Sequence, residues 1–371
     1  MTAGMKPKPV SSAGARRTTI SDVANALGMA KGTVSRALNG YSDISEGTRL
    51  RVQNMARQMD YRPLSHAQAI RTGRVRSLGL VLQTGEYDGH SPMLADFLAG
   101  IAHEVGTQGW TLTVGAATTM QDTLATLKSL SEERKADGFI IPRTYTNDPR
   151  VDLLRRLEIP FVLYGRTQDP QDCAWYDIHG GEAMSDAVAR LVSFGHRRIA
   201  FINGGVEYYY SRLRLAGYYA GLDQEGMTRE SALLRQGAVT EEQGEAAALE
   251  LLQQDSPPTA IICAVDRAAL GVFRALRRFG LTAGQEVSVI GYDGIAEGAF
   301  ARPPLTTFAV DTYKAGNRLA HLLIARLLGS PVEGLRETDV AALVARDSDG
   351  PAKVTSEELA VILRQNSTQN T

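Results

Sequence analysis

From Ser77 onward the chain alternates short apolar strands with amphipathic helices, and the alternation runs twice. Parallel neighbours in a sheet need long crossovers, usually helical, so this rhythm restricts the chain to parallel sheets covered on both faces. In the first run, Leu78 to Leu82, Thr111 to Gly115, Gly138 to Ile141 and Pro160 to Tyr164 read as strands. In the second run, Ile199 to Ile202, Ala260 to Ala264 and Val287 to Ile290 do the same. A chain of 371 residues has room for two or three domains, so each run can build a lobe of its own.

Pro303-Pro304-Leu305-Thr306-Thr307 reads as a crossover returning the chain to the first lobe, where a helix near Lys314 to Leu328 and strand structure near Val340 to Val344 are expected. Two α/β lobes joined by chain crossings describe a periplasmic-binding-protein-like fold. In such a fold a ligand binds between the lobes, at the carboxyl ends of strands. The expected lobes span about 76–176 with 306–346, and about 177–305, followed by a polar tail over 347–371 in which Leu359 to Leu363 can form a short helix.

Ahead of the alternation lies a different period. Ile20, Val23, Ala24 and Leu27 recur at helical spacing, with Thr19 or Ser21 as a cap and Gly28 at a sharp turn. A second helix, about Ala30 to Leu38, buries Val34 and Leu38 and turns Lys31, Gly32, Ser35 and Arg36 outward. A third, Ser45 to Met59, has Leu50, Val52, Met55, Ala56 and Met59 as its apolar positions, and stops at Asp60-Tyr61-Arg62-Pro63. Two short helices presenting an Arg, a Lys and hydroxyls on one exposed face have the layout of a helix-turn-helix DNA reader. The bland alternative is a helical hairpin with a solvated basic face.

Charge distribution bears on that choice. From Met1 to Arg76 there are 13 Lys and Arg against 4 Asp and Glu, while the whole chain carries a formal net charge of −1. A basic head on an acidic body is expected when only the head meets phosphates. Met1 to Arg17 reads as a flexible leader, and 63–75 as a linker that permits a helix from Ser65 to Thr72.

The run DVANALGMAKGTVSRALN, then ISEGTRLRV and YRP, resembles the headpiece of the LacI/GalR family of transcriptional repressors. The resemblance extends along the body through PFVLYGR, FGHRRIAFINGG, RLRLAGYYAGL, SVIGYDG and PPLTT. It implies a dimeric regulator that reads a palindromic operator in double-stranded DNA and answers to a small molecule. Lys31, Gly32 and Arg36 then face base edges, and Arg can chelate guanine O6 and N7. Thr33 and Ser35 are placed for phosphates, with Ile20 and Ser21 at the start of the first helix; Asn39 either binds phosphate or ends a helix. The linker becomes a hinge helix with Ile70 as an apolar minor-groove wedge and Arg71 on a flanking phosphate, against the alternative of a plain tether. In this family the hinge helix is usually capped by Asn where this chain has Leu64, and the second helix often by Ser where it has Ala30.

For the small molecule, the candidates are Gln83, Asp177, Tyr209, Arg214, Asp266 and Asp293, with Tyr208 and Tyr210 as neighbours. Arg214 matches the family's effector clamp. Carboxylates and an Arg converging in a cleft suit vicinal hydroxyls, and a tyrosine suits a sugar face. Some of these charges have the alternative role of capping helices, Asp266 above all. A sugar that releases the protein from DNA fits these residue types better than a purine corepressor. Genes of carbohydrate uptake or catabolism are the expected targets. A solute-binding protein is the rival from another class.

Nothing in the sequence asks for catalysis, a metal or a cofactor. Gly204-Gly205 lacks the Lys-Ser/Thr ending of a phosphate loop, and no G-x-S-x-G elbow occurs. Cys173 and Cys263 are far apart, and the histidines lack metal spacing. The N-terminus lacks an apolar signal segment and no apolar run spans a bilayer, so a cytoplasmic, nucleoid-associated protein is expected.

Overall fold

The computed structural model describes residues 18–61, 74–84 and 92–369. It divides into two compact units, residues 1–75 and 76–371. The expected leader and most of the linker, Ile70 and Arg71 included, lie outside the described residues.

The first unit holds α1 (Ile20–Leu27), α2 (Lys31–Leu38) and α3 (Glu46–Gln58). Thr19 caps α1 through a reciprocal box: the Asp22 amide donates to Thr19 Oγ1 (3.3 Å) and the Thr19 amide to Asp22 Oδ2 (2.7 Å). Gly28 ends α1 at φ +62°, a left-handed conformation that glycine adopts without a Cβ clash. Val23, Ala24, Val34, Ala37, Val52 and Ala56 form the core. Two expectations fail here. Leu50 is 49 % exposed, because it falls on the outer face of α3, and Leu38 is only partly buried beside Ala37.

The second unit is two lobes, each built on a six-stranded sheet. The first sheet contains β1 (Ser77–Gln83), β2 (Thr111–Ala117), β3 (Gly138–Ile141), β4 (Phe161–Tyr164), β5 (Ala174–Ile178) and β11 (Arg336–Asp339), ordered β11-β5-β4-β3-β1-β2 and all parallel. The second contains β6 (Ile199–Ile202), β7 (Leu234–Arg235), β8 (Ala260–Cys263), β9 (Ser288–Asp293), β10 (Thr306–Ala309) and β12 (Ala342–Val344), ordered β12-β10-β9-β8-β6-β7. Only β12, paired with β10, runs antiparallel.

The lobe boundaries differ from the sequence expectation in three places. Asp177 lies in β5, which stays in the first sheet, so the first crossing follows Ile178. The Pro-Pro-Leu-Thr-Thr segment leads into β10 of the second sheet, not back to the first lobe. Thr306 and Thr307 are fully buried there, their hydroxyls donating to Asp349 Oδ1 (2.6 Å) and Asp266 Oδ1 (2.7 Å), and those bonds tie the strand to the second lobe. The chain returns to the first lobe after Val310 and leaves again after Asp339, so it crosses three times.

The expected tail is folded as well. Ser348 and Asp349 are buried, and Arg190 pairs with Asp349 (2.5 Å). The helix Ser356–Gln369 then lays Leu359 and Leu363 into the second lobe's core. Those leucines are four residues apart and share one helix face, so the short helix expected at Leu359 to Leu363 is present, longer than expected and packed into the lobe.

Two helix pairs approach through glycine. The helix Gly180–Ser193 (α7) crosses Tyr209–Gln224 (α8) so closely that a Cβ on Gly217 would lie 1.9 Å from the Gly181 carbonyl oxygen. Between Pro92–Thr107 (α4) and Thr312–Leu327 (α12), a Cβ on Gly100 would meet the Tyr313 carbonyl at 2.0 Å. The numbering between them runs α5 (Met120–Glu132) and α6 (Pro149–Arg156), then α9 (Glu241–Leu252), α10 (Asp266–Arg278) and α11 (Ala296–Phe300); the C-terminal helix is α13.

Candidate nucleic-acid interface and ligand cleft

On the first unit, Lys31, Gly32 and Arg36 share the exposed side of α2, as expected. A Cβ on Gly32 would meet nothing within 4 Å, which leaves the helix surface open for close approach. No side chain caps α2, because Ala30 stands at the N-cap, so that end keeps unpaired amide donors. Thr33 and Ser35 are half-buried, and Ser21 is exposed. Ile20 is half-buried and packs against the core. Asn39 Nδ2 donates to the Ser35 carbonyl (2.6 Å) and hydroxyl (3.3 Å), which spends that amide on ending α2. Sequence reasoning missed Asp43 and Tyr41: Arg36 forms an ion pair with Asp43 and lies 5.7 Å from the Tyr41 ring centroid.

On the second unit, the cleft gathers residues at the carboxyl ends of strands of both sheets. Arg214 comes from α8 and is 9 % exposed. Its Nη1 donates to the Ala264 carbonyl at 2.5 Å. Its guanidinium lies 3.7 Å from the ring centroid of Tyr292 and 4.6 Å from that of Tyr210. Its Nε is buried and has no hydrogen-bond partner among the described residues. An orphan donor of a charged group is costly unless something accepts from it.

One carboxylate acts on this cation, and a second lies in a strand of the other lobe. Asp293 ends β9 at φ +122°, and loss of solvent pushes its carboxyl up to about 7, with Arg214 opposing the shift and Asp266 adding to it. Asp177 in β5 is buried, and burial raises its carboxyl while Arg166, donating Nε at 2.6 Å, holds it back. Tyr164, at the end of β4, is pushed up by burial and feels the charges of Asp293 and Arg214, so residues of both lobes share one electrostatic neighbourhood. Gln83 ends β1 at the same edge of the first sheet and is half-buried.

Two candidates take other roles. Asp266 is fully buried and accepts from the Gly294 amide (2.8 Å), the Ile295 amide (2.9 Å) and the Thr307 hydroxyl (2.7 Å). It anchors the turn after β9, with both carboxylate oxygens engaged there. Tyr209 opens α8, and its amide donates to the Thr144 carbonyl (3.1 Å). Tyr210, not Tyr209, carries the ring beneath Arg214. Tyr164, Arg166 and Tyr292 were not foreseen, since aromatic strand ends read as core.

The lobes also touch beside the cleft. Tyr145 and Tyr208 form an antiparallel bridge, flanked by the Thr146 amide donating to the Glu207 carbonyl at 2.8 Å. Their rings stack at 4.8 Å, and Tyr208 stacks on Tyr210 at 5.6 Å. Arg212 donates to Gln168 Oε1 across the same boundary (2.9 Å). Among the described residues no cluster suits a metal ion, and no helix is long and apolar enough to cross a membrane. Cys173 and Cys263 are buried free thiols, both pushed up by burial.

Comparison with known proteins follows this division. Residues 19–64 match the model of bacterial regulatory proteins of the lacI family, and residues 188–348 match a periplasmic binding protein-like domain. The HTH-type transcriptional regulator AglR of Rhizobium meliloti (strain 1021) is 34 % identical over 339 residues, covering 90 % of this chain and 94 % of that protein. The HTH-type transcriptional regulator RafR of Escherichia coli is 30 % identical, covering 85 % and 94 %. Among solved structures, the complex of the transcriptional regulator CelR with cellobiose is 28 % identical, with a TM-score of 0.70, and covers 90 % of this chain and 100 % of that one. Alignment with such relatives along nearly the whole length makes this chain a DNA-binding transcriptional regulator, not an enzyme, and a member of the lacI family of bacterial regulatory proteins.

Proposed function

We propose that this regulator is a homodimeric repressor of carbohydrate uptake or catabolism genes, and that a small sugar in the cleft releases it from its operator. The observation that carries the sugar is Arg214: a buried guanidinium with an unpaired Nε, faced by Tyr210 and Tyr292 and acting on Asp293, with Asp177 of the other lobe acting on the same Tyr292. Sugar hydroxyls accept from the guanidinium and donate to the carboxylates, while a ring face lies on tyrosine. The cellobiose complex of CelR supports the ligand class.

At the DNA, Lys31 and Arg36 choose bases, Thr33, Ser35, Arg71 and the start of α1 hold phosphates, and Ile70 wedges the minor groove. Two copies read two half-sites, since a two-fold dimer matches a palindromic operator. On the second lobe, Phe300 is 85 % exposed beside a pocket of about 220 Å³ lined by Leu270, Phe273 and Arg274, a surface suited to a second copy. The protein works in the cytoplasm, at the nucleoid. A sugar switches it only by binding one lobe arrangement better than the other. The Tyr145–Tyr208 bridge, which joins the lobes beside the cleft, is the contact such a switch would act on.

The test is a thermal-shift screen of sugars, followed by gel-shift titration of upstream DNA with any sugar that raises the melting temperature. That sugar is expected to weaken DNA binding. Arg214→Ala should keep DNA binding and lose both the melting shift and the release. A variant that still responds would show that another residue clamps the ligand.

A further inference from the structure

A carboxylate from the turn after α2 reaches its DNA-facing side, which is unexpected on a surface that approaches phosphates. Arg36 Nη2 pairs with Asp43, and the two side chains remain 53 % and 46 % exposed. Asp43 sits on a turn that is itself held in place. The Tyr41 amide donates to the Arg36 carbonyl (3.1 Å), and the Ile44 amide to the Tyr41 carbonyl (3.3 Å). From α3, Arg49 Nη2 donates back to the Tyr41 carbonyl at 3.1 Å. Ser45 then caps α3 through the Thr48 amide and hydroxyl. The carboxylate is therefore fixed relative to α2, although its side chain is exposed.

A guanidinium has five N–H donors in a rigid plane. Asp43 engages Nη2, and no further hydrogen-bond acceptor contacts Arg36 among the described residues, so donors remain for a base edge. A carboxylate at this place has two physical effects. It orients the plane of the guanidinium, and it cancels the charge that would draw the side chain to any phosphate. We infer that Asp43 is a positioning residue for operator choice: it holds Arg36 as a guanine reader and keeps it from serving as a general phosphate contact. This rests on the DNA-reading role of α2 given above.

The test uses the intact protein and duplexes that it selects itself. The wild type is used to enrich a randomised duplex pool, and the enriched duplex and a scrambled duplex of equal composition are titrated at several salt concentrations. Against wild type, Asp43→Asn is expected to bind the enriched duplex about tenfold more weakly, the scale of one misaligned arginine–guanine contact. The same variant should bind the scrambled duplex more tightly, with a log–log salt slope steeper by about one per half-site. Asp43→Glu restores most of the preference, and in an Arg36→Ala background Asp43→Asn leaves the preference unchanged. Equal changes on both duplexes, or the same effect of Asp43→Asn without Arg36, would overturn the inference while leaving DNA reading intact. A wild type that enriches nothing would overturn both. Melting curves of each variant confirm that the exposed substitutions leave the headpiece folded.

Discussion

Replacing Gly217 by Ala puts a methyl group where α8 crosses α7. The new Cβ would stand 1.9 Å from the Gly181 carbonyl oxygen and 2.6 Å from Gly181 Cα, and both are backbone atoms that cannot swing aside. To restore ordinary contact, the helices must part by about 1.3 Å in a region packed to crystal-like density. Overpacking of this kind costs ~1–3 kcal/mol. Alanine returns up to ~1 kcal/mol through helix propensity, so a net loss of about 1–2 kcal/mol is expected. For a unit of this size that is an apparent Tm lower by about 2–5 °C. Function should suffer too, because Arg214 lies one turn before Gly217 on α8 and moves with it. Scanning calorimetry or dichroism gives the melting shift, and ligand titration gives the effect on Arg214. Gly106→Ala is the control: its Cβ meets nothing within 4 Å, and the change should be neutral or stabilising by a few tenths of a kcal/mol. A Gly217→Ala protein that melts at or above wild type would refute the close crossing.

Asp293 has a carboxyl raised to about 7, so the folded state holds its proton where the unfolded chain has lost it. Its favourable contribution is present below the unfolded value of 3.8 and is lost as pH rises through 7; Asp293→Asn should therefore gain stability relative to wild type between pH 5 and pH 8, and parallel melting curves would contradict this. Because the ionised form accepts from hydroxyls more strongly, sugar affinity of the wild type should rise up to about tenfold from pH 6 to 8 and stay flat in Asp293→Asn. Leu359→Ala removes a fully buried side chain from the C-terminal helix and should cost ~2–5 kcal/mol in denaturant unfolding; a change under ~0.5 kcal/mol would show that the helix does not close the second lobe.

The alternation of strands and helices was legible because each buried strand is a run of apolar residues. β11 was not, since it reads Arg336-Glu337-Thr338-Asp339 and sits at a sheet edge, where charge is tolerated and even protective. β5 escaped for a related reason: Asp177 interrupts it with a carboxylate that only the tertiary partner Arg166 explains. Arg214 was found by its motif, and its orphan Nε required the fold. The sequence placed Asp266 at a strand end, where a ligand residue belongs. Only the fold, which brings Thr307 from β10 and the turn after β9 against it, showed that both its oxygens serve the second lobe. The Arg36–Asp43 pair joins α2 to the turn beyond its end, where no periodicity relates one residue to the other.

The three crossings between lobes also order events during synthesis. The headpiece makes its core from residues 23–56 alone, so it can fold as soon as it leaves the ribosome. The first sheet waits for β11 to join β5, about 160 residues later, and the second waits for the helix after Ser356. At ~5–20 residues per second, that delay is about 10–30 s. During that interval each nascent chain carries a finished DNA reader and no sensor to govern it.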